Sequence, residues 1–186
     1  MSALVAPQQI DGHRLRLRLG TPDDAAYIYS LRQNPSYNKY LSPVTGTVDD
    51  QRSWLESYKK REAAGEEYYY VSERLDNETP CGVVRLYNIT RAEFTWGSWI
   101  LDSNKPSKGA LESALLSFDV GFNHLGCDRA LVDVRQENTH AIAFYRGFGM
   151  EHVGDDYENK YFIYRREIAQ ADRLKHLDHV KAGESL

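Results

Sequence analysis

The chain contains only two cysteines, Cys81 and Cys127, far apart and outside any metal-ligand spacing. That leaves neither a disulfide framework nor a cysteine zinc site, and the expectation is two buried thiols in a reducing cytoplasm. No apolar stretch is long enough to span a bilayer, and the N-terminus lacks a charged-then-apolar leader. No membrane partner is expected. The formal net charge is only -4 and neither half is strongly basic, so nucleic acid has no electrostatic footprint to bind. Catalytic signatures are missing too: no GxxxxGK[ST] phosphate loop, no GxGxxG opening a helix, no HExxH and no GxSxG. Kinase, zinc-hydrolase and serine-hydrolase readings lose their anchors. His176 and His179 stand one helical turn apart without a third ligand nearby, so no metal is expected and a solvated tail helix is.

What the 186 residues do offer is 41% hydrophobic content with mixed charge, the mark of one folded domain. Tyrosine is abundant, at 13, clustered at 68–70 and again at Tyr157, Tyr161 and Tyr164; such rings fill strands or line grooves. Residues 1–12 show no periodicity and read as a lead-in. Residues 13–19 alternate leucine and arginine, a half-buried strand. Thr21-Pro22-Asp23-Asp24 starts a helix carrying Ala25, Ile28 and Tyr29 inward and ending near Asn34-Pro35. Residues 35–48 read as a loop, after which Asp49 or Asp50 caps a second helix with Trp54, Leu55 and Tyr58 buried and Gly65 beyond its end.

Strand-like runs follow at 67–73, 82–89 and 93–101. From Lys108 the period turns helical, with Leu111, Ala114, Leu115, Phe118 and Phe122 as one stripe up to Gly126. Residues 130–134 read as a strand, 137–146 as a helix, and 150–153 and 161–165 as strands. In the tail, 167–186, Ile168, Ala171, Leu174 and Leu177 can share one helix side. The order is strand, two helices, three antiparallel strands, helix, strand, helix, two strands. It predicts an α/β (α+β) fold, a central mixed and mostly antiparallel sheet flanked by helices.

The chemistry concentrates in residues 131–150, LVDVRQENTHAIAFYRGFGM. A strand runs outward and a helix begins near Glu137. Asn138 and Tyr145 lie about two turns apart at ~3.6 residues per turn, so one helix face presents an amide and a phenol. This stretch resembles the GNAT N-acetyltransferase superfamily, whose pattern V-x-x-x-N-x-x-A-I-x-x-Y-x-x-x-G-F it matches except at the last position, Met150. The second piece is the strand-to-helix junction, residues 100–110. A helix N-terminus there offers unpaired N–H groups to a pyrophosphate. GNAT enzymes carry [QR]-x-x-G-x-[GA] at this junction; here Gly109 falls on the middle glycine, but Pro106 and Leu111 depart from it.

The resemblance covers nearly the whole chain. It implies acetyl-CoA as the acetyl donor and no metal, with the cofactor held by Ile100, Leu101, Lys105, Lys108, Gly109, Ala110, Asn138 and Tyr145. Residues 82–90, GVVRLYNIT, followed by a tryptophan-bearing strand, look like the amino-sugar N-acetyltransferases of bacterial nonulosonic-acid pathways. Those carry an Arg-x-x-Pro-like loop after the first helix, here from Arg32 to Tyr37, and act on the amine of a nucleotide-linked sugar. The resemblance thus places Arg32, Tyr37, Lys39 and Tyr40 around the acceptor, and leaves a homodimer open.

An alkyl ammonium with pKa near 10 is about one part in a thousand neutral at pH 7, so deprotonation costs roughly 4 kcal/mol. A sugar amine flanked by oxygens costs less. Glu93 is the carboxylate candidate for a base, although Thr95 lies nearer the position where relatives place a glutamate. Tyr145 is the candidate general acid, because its pKa near about 10 suits a thiolate leaving group. Backbone N–H groups around residues 97–100, where relatives have a splayed strand, would polarise the thioester carbonyl. Three readings stay open: an amino-sugar enzyme, a polyamine or protein N-terminal acetyltransferase, and an acyl-CoA-binding module without turnover. The loop 32–47 contains no acidic residue, which tells against a polyamine.

Overall fold

The computed structural model describes residues 4–182. Its frame is one eight-stranded sheet in the order β1-β2-β3-β4-β5-β6-β8-β7. The strands are β1 (Gln9–Asp11), β2 (Leu15–Leu19), β3 (Tyr68–Arg74), β4 (Pro80–Tyr87), β5 (Glu93–Leu101), β6 (Arg129–Arg135), β7 (Glu151–Asp155) and β8 (Asn159–Arg165). Neighbours pair antiparallel except β5 and β6, which run parallel across the centre. The helices are α1 (Ala25–Gln33), α2 (Pro35–Asn38), α3 (Val48–Ala63), α4 (Gly109–Asp119), α5 (Thr139–Phe148) and α6 (Arg166–Lys181). This is the mixed, mostly antiparallel sheet flanked by helices that the element order predicts.

Strand alternation sends successive side chains to opposite faces, and each face has its own core. On one face Tyr70, Val84, Trp96, Val132 and Phe162 meet Phe118 of α4 and Tyr145 and Phe148 of α5. On the other, Tyr69, Val71, Val83 and Ile100 meet Ile28 and Leu31 of α1 and Leu55 and Tyr58 of α3. The polar face of β2 is satisfied by charge: Arg18 forks onto Asp24 at 2.8 Å and reaches Glu73 at 2.9 Å. Asp24 in turn accepts from the Thr21 N–H at 2.8 Å. That arrangement starts the first helix as a short 3-10 turn, Pro22–Asp24, leading into α1.

Several local expectations shift. Of the expected lead-in, residues 1–3 lie outside the described residues, and Gln9–Asp11 forms β1 at the sheet edge beside β2. Pro35–Asn38 forms a helical turn within the expected loop, with the Asn34 carbonyl side-chain oxygen accepting from Ser36 N–H. Thr47, not Asp49 or Asp50, caps α3; its hydroxyl accepts from Asp50 N–H while the Asp50 carboxylate takes Thr47 N–H at 2.7 Å. Leu31 rather than Tyr29 is buried on α1, and Gln51 rather than Trp54 on α3.

The stripe of α4 is rotated toward polar residues. Glu112, Ser113 and Ser117 are buried, because each has a partner: Glu112 accepts from Arg14 N–H at 2.8 Å, Ser113 from the Trp99 indole, Ser117 from the Trp96 indole. In α6 the inward residues are His176 and Val180, while Leu174 is 75% exposed. Most of α6 is solvated as expected, but the His176 ring is buried and stacks on Phe148 at 4.5 Å, while Ile168 and Leu174 of the expected stripe stay exposed.

Candidate active site

The site begins as a defect in the sheet. β5 and β6 pair only from Glu93 to Thr95, although β5 continues to Leu101. Against β4 the register steps from Arg85↔Gly97 to Val83↔Ile100, one residue more on β5 than on β4. Ser98, with φ 49°, absorbs the extra residue as a bulge. A bulge bends its strand and flips the side-chain alternation: Trp96 lies in the α4–α5 core, Ile100 in the α1–α3 core. The Trp99 indole N–H donates to Ser113 of α4 at 2.9 Å, pinning the bent strand. The two central strands therefore splay from Trp96 onward, as expected for residues 97–100.

A cavity of about 380 Å³ occupies the splay and is lined from both sides of the sheet. From the α4–α5 side come Trp99, Asn138 and Tyr145; from the α1–α3 side come Arg32, Tyr37, Tyr40, Arg85, Tyr87 and Asp133. Tyr145 is 6% exposed, its ring edge-on to Trp96 and Phe162 at 5.9 Å each. Its hydroxyl is nonetheless not among the sealed, partnerless polar atoms of the interior. Burial, with the nearby Asp133 charge, pushes the Tyr145 phenol above its ordinary range, so it stays protonated at neutral pH.

The cavity carries three guanidiniums and one carboxylate. Arg85 is held by Glu67 at 2.8 Å, and its guanidinium lies 4.6 Å over the Tyr87 ring. Glu67 also takes Arg61 at 3.1 Å. Arg135 pairs with Glu158. Arg32 donates to the Ser42 carbonyl at 3.3 Å, and its Nε is buried without a partner among the described residues. Asp133 is the carboxylate.

Of the residues expected around the acceptor, Arg32, Tyr37 and Tyr40 line the cavity. The loop that carries them is tied down at two points: Tyr37 Oη accepts from Ser103 N–H at 3.1 Å, and Tyr40 Oη donates to the Glu137 carbonyl at 3.3 Å. Lys39 does not line it; it is exposed, with its ammonium 5.1 Å over the Tyr40 ring. Glu93 is also outside. It sits where β5 and β6 still pair and is bound by Arg129 at 2.6 Å, so a base role has no geometric support. Asn138 and Tyr145 do come together, but not as two turns of one helix face. Asn138 is the N-cap of α5, its carbonyl side-chain oxygen accepting from Ala141 N–H at 3.2 Å; its NH₂ remains available to the cavity.

The junction residues lie beyond the cavity. Ile100 is buried in the α1–α3 core, Leu101 is half-buried, and Lys105 and Lys108 are exposed. Gly109 N–H is used by the Pro106 carbonyl at 2.9 Å, so it is not a free donor. Among the described residues the N–H groups of Ser107, Lys108, Ala110 and Leu111 find no protein acceptor. Lys108 caps α4 at φ 60°, a left-handed residue before a helix, which turns successive N–H groups into an anion-binding concavity. The departures at Pro106 and Leu111 leave this nest intact because it is made of backbone.

Residues 14–151 match the model of the acetyltransferase (GNAT) domain. The chain belongs to the GNAT family. No curated protein matches it. Among solved structures, this GNAT enzyme is similar to apo FdhC, described as a nucleotide-linked sugar GNAT, at 35% identity and a TM-score of 0.84, covering 90% of this chain and 96% of that one. The spermidine N-acetyltransferase from Vibrio cholerae, solved with CoA and spermine, matches at 19% identity and TM-score 0.73, over 84% of this chain and 98% of its own. The ribosomal-protein-S5-alanine acetyltransferase from Vibrio fischeri matches at 15% and TM-score 0.73, over 86% and 97%. At these lower identities the likeness is one of fold. Like its relatives, the GNAT chain is an N-acetyltransferase.

In this GNAT site, sequence reasoning missed Asp133, Arg85, Tyr87 and Trp99. The available signal was the alternation in β6: Asp133 between Val132 and Val134 marks a polar face on a central strand, where a charge needs a reason.

Proposed function

We propose that the protein transfers an acetyl group from acetyl-CoA to the primary amine of a nucleotide-linked amino sugar. The observation that carries this reading is the cavity through the β5–β6 splay, which joins Tyr145 and Asn138 on one side of the sheet to an arginine- and tyrosine-rich chamber on the other. The similarity to a nucleotide-linked sugar GNAT at 35% identity supports the acceptor class. So does the chamber itself: Arg32, Arg85 and Arg135 suit a diphosphate, and Tyr37, Tyr40 and Tyr87 offer flat faces to a base or sugar ring.

Acetyl-CoA, when bound, supplies an acetyl group activated as a thioester. The unpaired N–H groups from Ser107 to Leu111 and the positive end of α4 suit its pyrophosphate. The Asn138 NH₂ suits an amide of its pantetheine arm. Tyr145, kept protonated by burial, is placed to donate to the departing thiolate, and backbone N–H groups of the bulged stretch 97–100 to polarise the carbonyl. Neither Cys81 nor Cys127 enters the cavity; both are buried and free, which suits the reducing cytoplasm we assign to the protein.

The test is thiol release from acetyl-CoA across an acceptor panel: uridine- and thymidine-diphosphate-linked amino sugars, spermidine, and peptides with free N-termini. Turnover confined to the sugar nucleotides is expected. Preference for spermidine or a peptide overturns the acceptor assignment, and acetyl-CoA binding without thiol release for any amine overturns turnover itself.

A further inference from the structure

The cavity of this enzyme contains a carboxylate that neither cofactor binding nor protonation of the thiolate employs. Asp133 is the one carboxylate among the lining residues. It lies on β6 between Val132 and Val134, both packed in the α4–α5 core, so strand alternation turns Asp133 to the acceptor side. There it is exposed, and among the described residues no arginine, lysine or hydroxyl pairs with it. The contrast with its neighbours is informative: Arg85 and Arg135 are each neutralised, by Glu67 and Glu158. A sheet-centre carboxylate left open beside a reaction cavity suits a cationic ligand group. Burial raises the Tyr145 and Tyr87 phenols above their ordinary range, and the Asp133 charge adds to both.

We propose that the Asp133 carboxylate receives the acceptor's ammonium at the splay and takes a proton from the nitrogen as the new C–N bond forms. This rests on the reading that the acceptor is a primary amine. A carboxylate beside an ammonium favours the charged form, so Asp133 binds and orients the acceptor before it acts as a base. The surplus ammonium proton leaves to solvent past Asp133. The freed lone pair then closes the C–N bond to the acetyl carbon. That nitrogen, now bonded to an electron-poor carbon, is acidic enough to pass a second proton to Asp133. As the C–S bond breaks, the Tyr145 hydroxyl supplies a proton to sulfur. Solvent in the cavity carries the proton from Asp133 back to Tyr145. The products are the amide, the free thiol and one proton released. Glu93, locked to Arg129 outside the cavity, has no part in these transfers.

The experiment compares wild type with Asp133→Asn and Asp133→Glu on the best acceptor of the panel, from pH 6.5 to 10. For Asp133→Asn, kcat/KM should fall about 10²-fold near pH 7, and the deficit should shrink as pH rises through the acceptor's own pKa, where the amine arrives neutral. Asp133→Glu should recover part of the loss. Acetyl-CoA affinity by calorimetry and the melting temperature should stay near wild-type values, because among the described residues the Asp133 carboxylate makes no hydrogen bond or ion pair that folding would lose. A kcat/KM within about twofold of wild type, or a deficit equal at every pH, overturns the proposal and leaves the amino-sugar reading standing. A wild type that accepts no amine overturns both. Should Asp133→Asn not fold, Asp133→Ser is read in the same way.

Discussion

Trp99 and Tyr145 stand 6.4 Å apart, ring centre to ring centre, on the α4–α5 side of the cavity. One belongs to the bulged end of β5, the other to α5, and no strand pairing joins their elements. Both rings line the cavity, so the contact bears on where the phenol sits. Replacing Tyr145 by Phe keeps the ring and its edge contacts, so the fold should be unaffected. The proton donor is lost. We expect kcat to drop about 10²-fold with acetyl-CoA affinity unchanged. Steady-state kinetics with calorimetry decide it; unaltered kcat would remove Tyr145 from the chemistry.

The same residue sets a pH expectation. An ordinary tyrosine loses its proton near about pH 10. Burial, then the Asp133 charge, raises Tyr145 above that value. The donor is therefore present throughout the neutral and mildly alkaline range, and kcat should not decline between about pH 7.5 and 10. A basic limb below pH 10 that vanishes in Tyr145→Phe would show the phenol to be unshifted.

Asn138 has two jobs that can be separated. Its Oδ1 caps α5, and its side chain lines the cavity with an NH₂ that has no protein acceptor among the described residues. Asn138→Asp retains a capping oxygen, so the melting temperature should hold while acetyl-CoA binds more weakly. Asn138→Ala loses both. Loss of a cap costs about 1 kcal/mol, roughly 2–4 °C for a domain of this size. Equal melting temperatures for the two variants would refute the split.

His176 makes stability depend on pH. Burial holds its pKa below the ordinary value, opposed by the Asp172 charge and a hydrogen bond with the Phe148 backbone, while Lys175 and His179 lower it further; the Phe148 ring stacks on it from α5. Below about pH 6.5 the unfolded chain binds a proton that the folded one refuses. Stability should thus be intact above pH 6.5 and fall as pH drops toward the depressed folded value. Urea melts at pH 7.5 and 5.5 measure this, and His176→Gln should flatten the difference. An equal slope in both proteins would assign it to other groups.

The legible parts of the fold were those in which local chemistry and tertiary demand agree. The strand β5 and the end of α3 at Gly65, with φ 74°, follow from alternation and a left-handed residue. The burial of Leu174 did not, because an amphipathic stripe says that a face is apolar and not that a partner exists. Asp50 is the reciprocal partner of Thr47 rather than the cap itself; both residue types satisfy helix N–H groups, and only the backbone angles choose between them. Of the residues singled out in the sequence, Tyr145, Asn138, Arg32, Tyr37 and Tyr40 line the cavity, while Lys39 and Glu93 lie outside it.

By itself, the order of residues determined all the long elements, the mixed sheet and the motif from Asn138 to Tyr145, because periodicity, caps and turns act over a few residues. Only the tertiary structure decided which charges face the reaction. Glu93 and Asp133 are both acidic residues on central strands, and no local rule separates them. The parallel pairing that ends at Thr95 does: before it Glu93 meets Arg129, and beyond it the strands part and Asp133 is left open to the cavity.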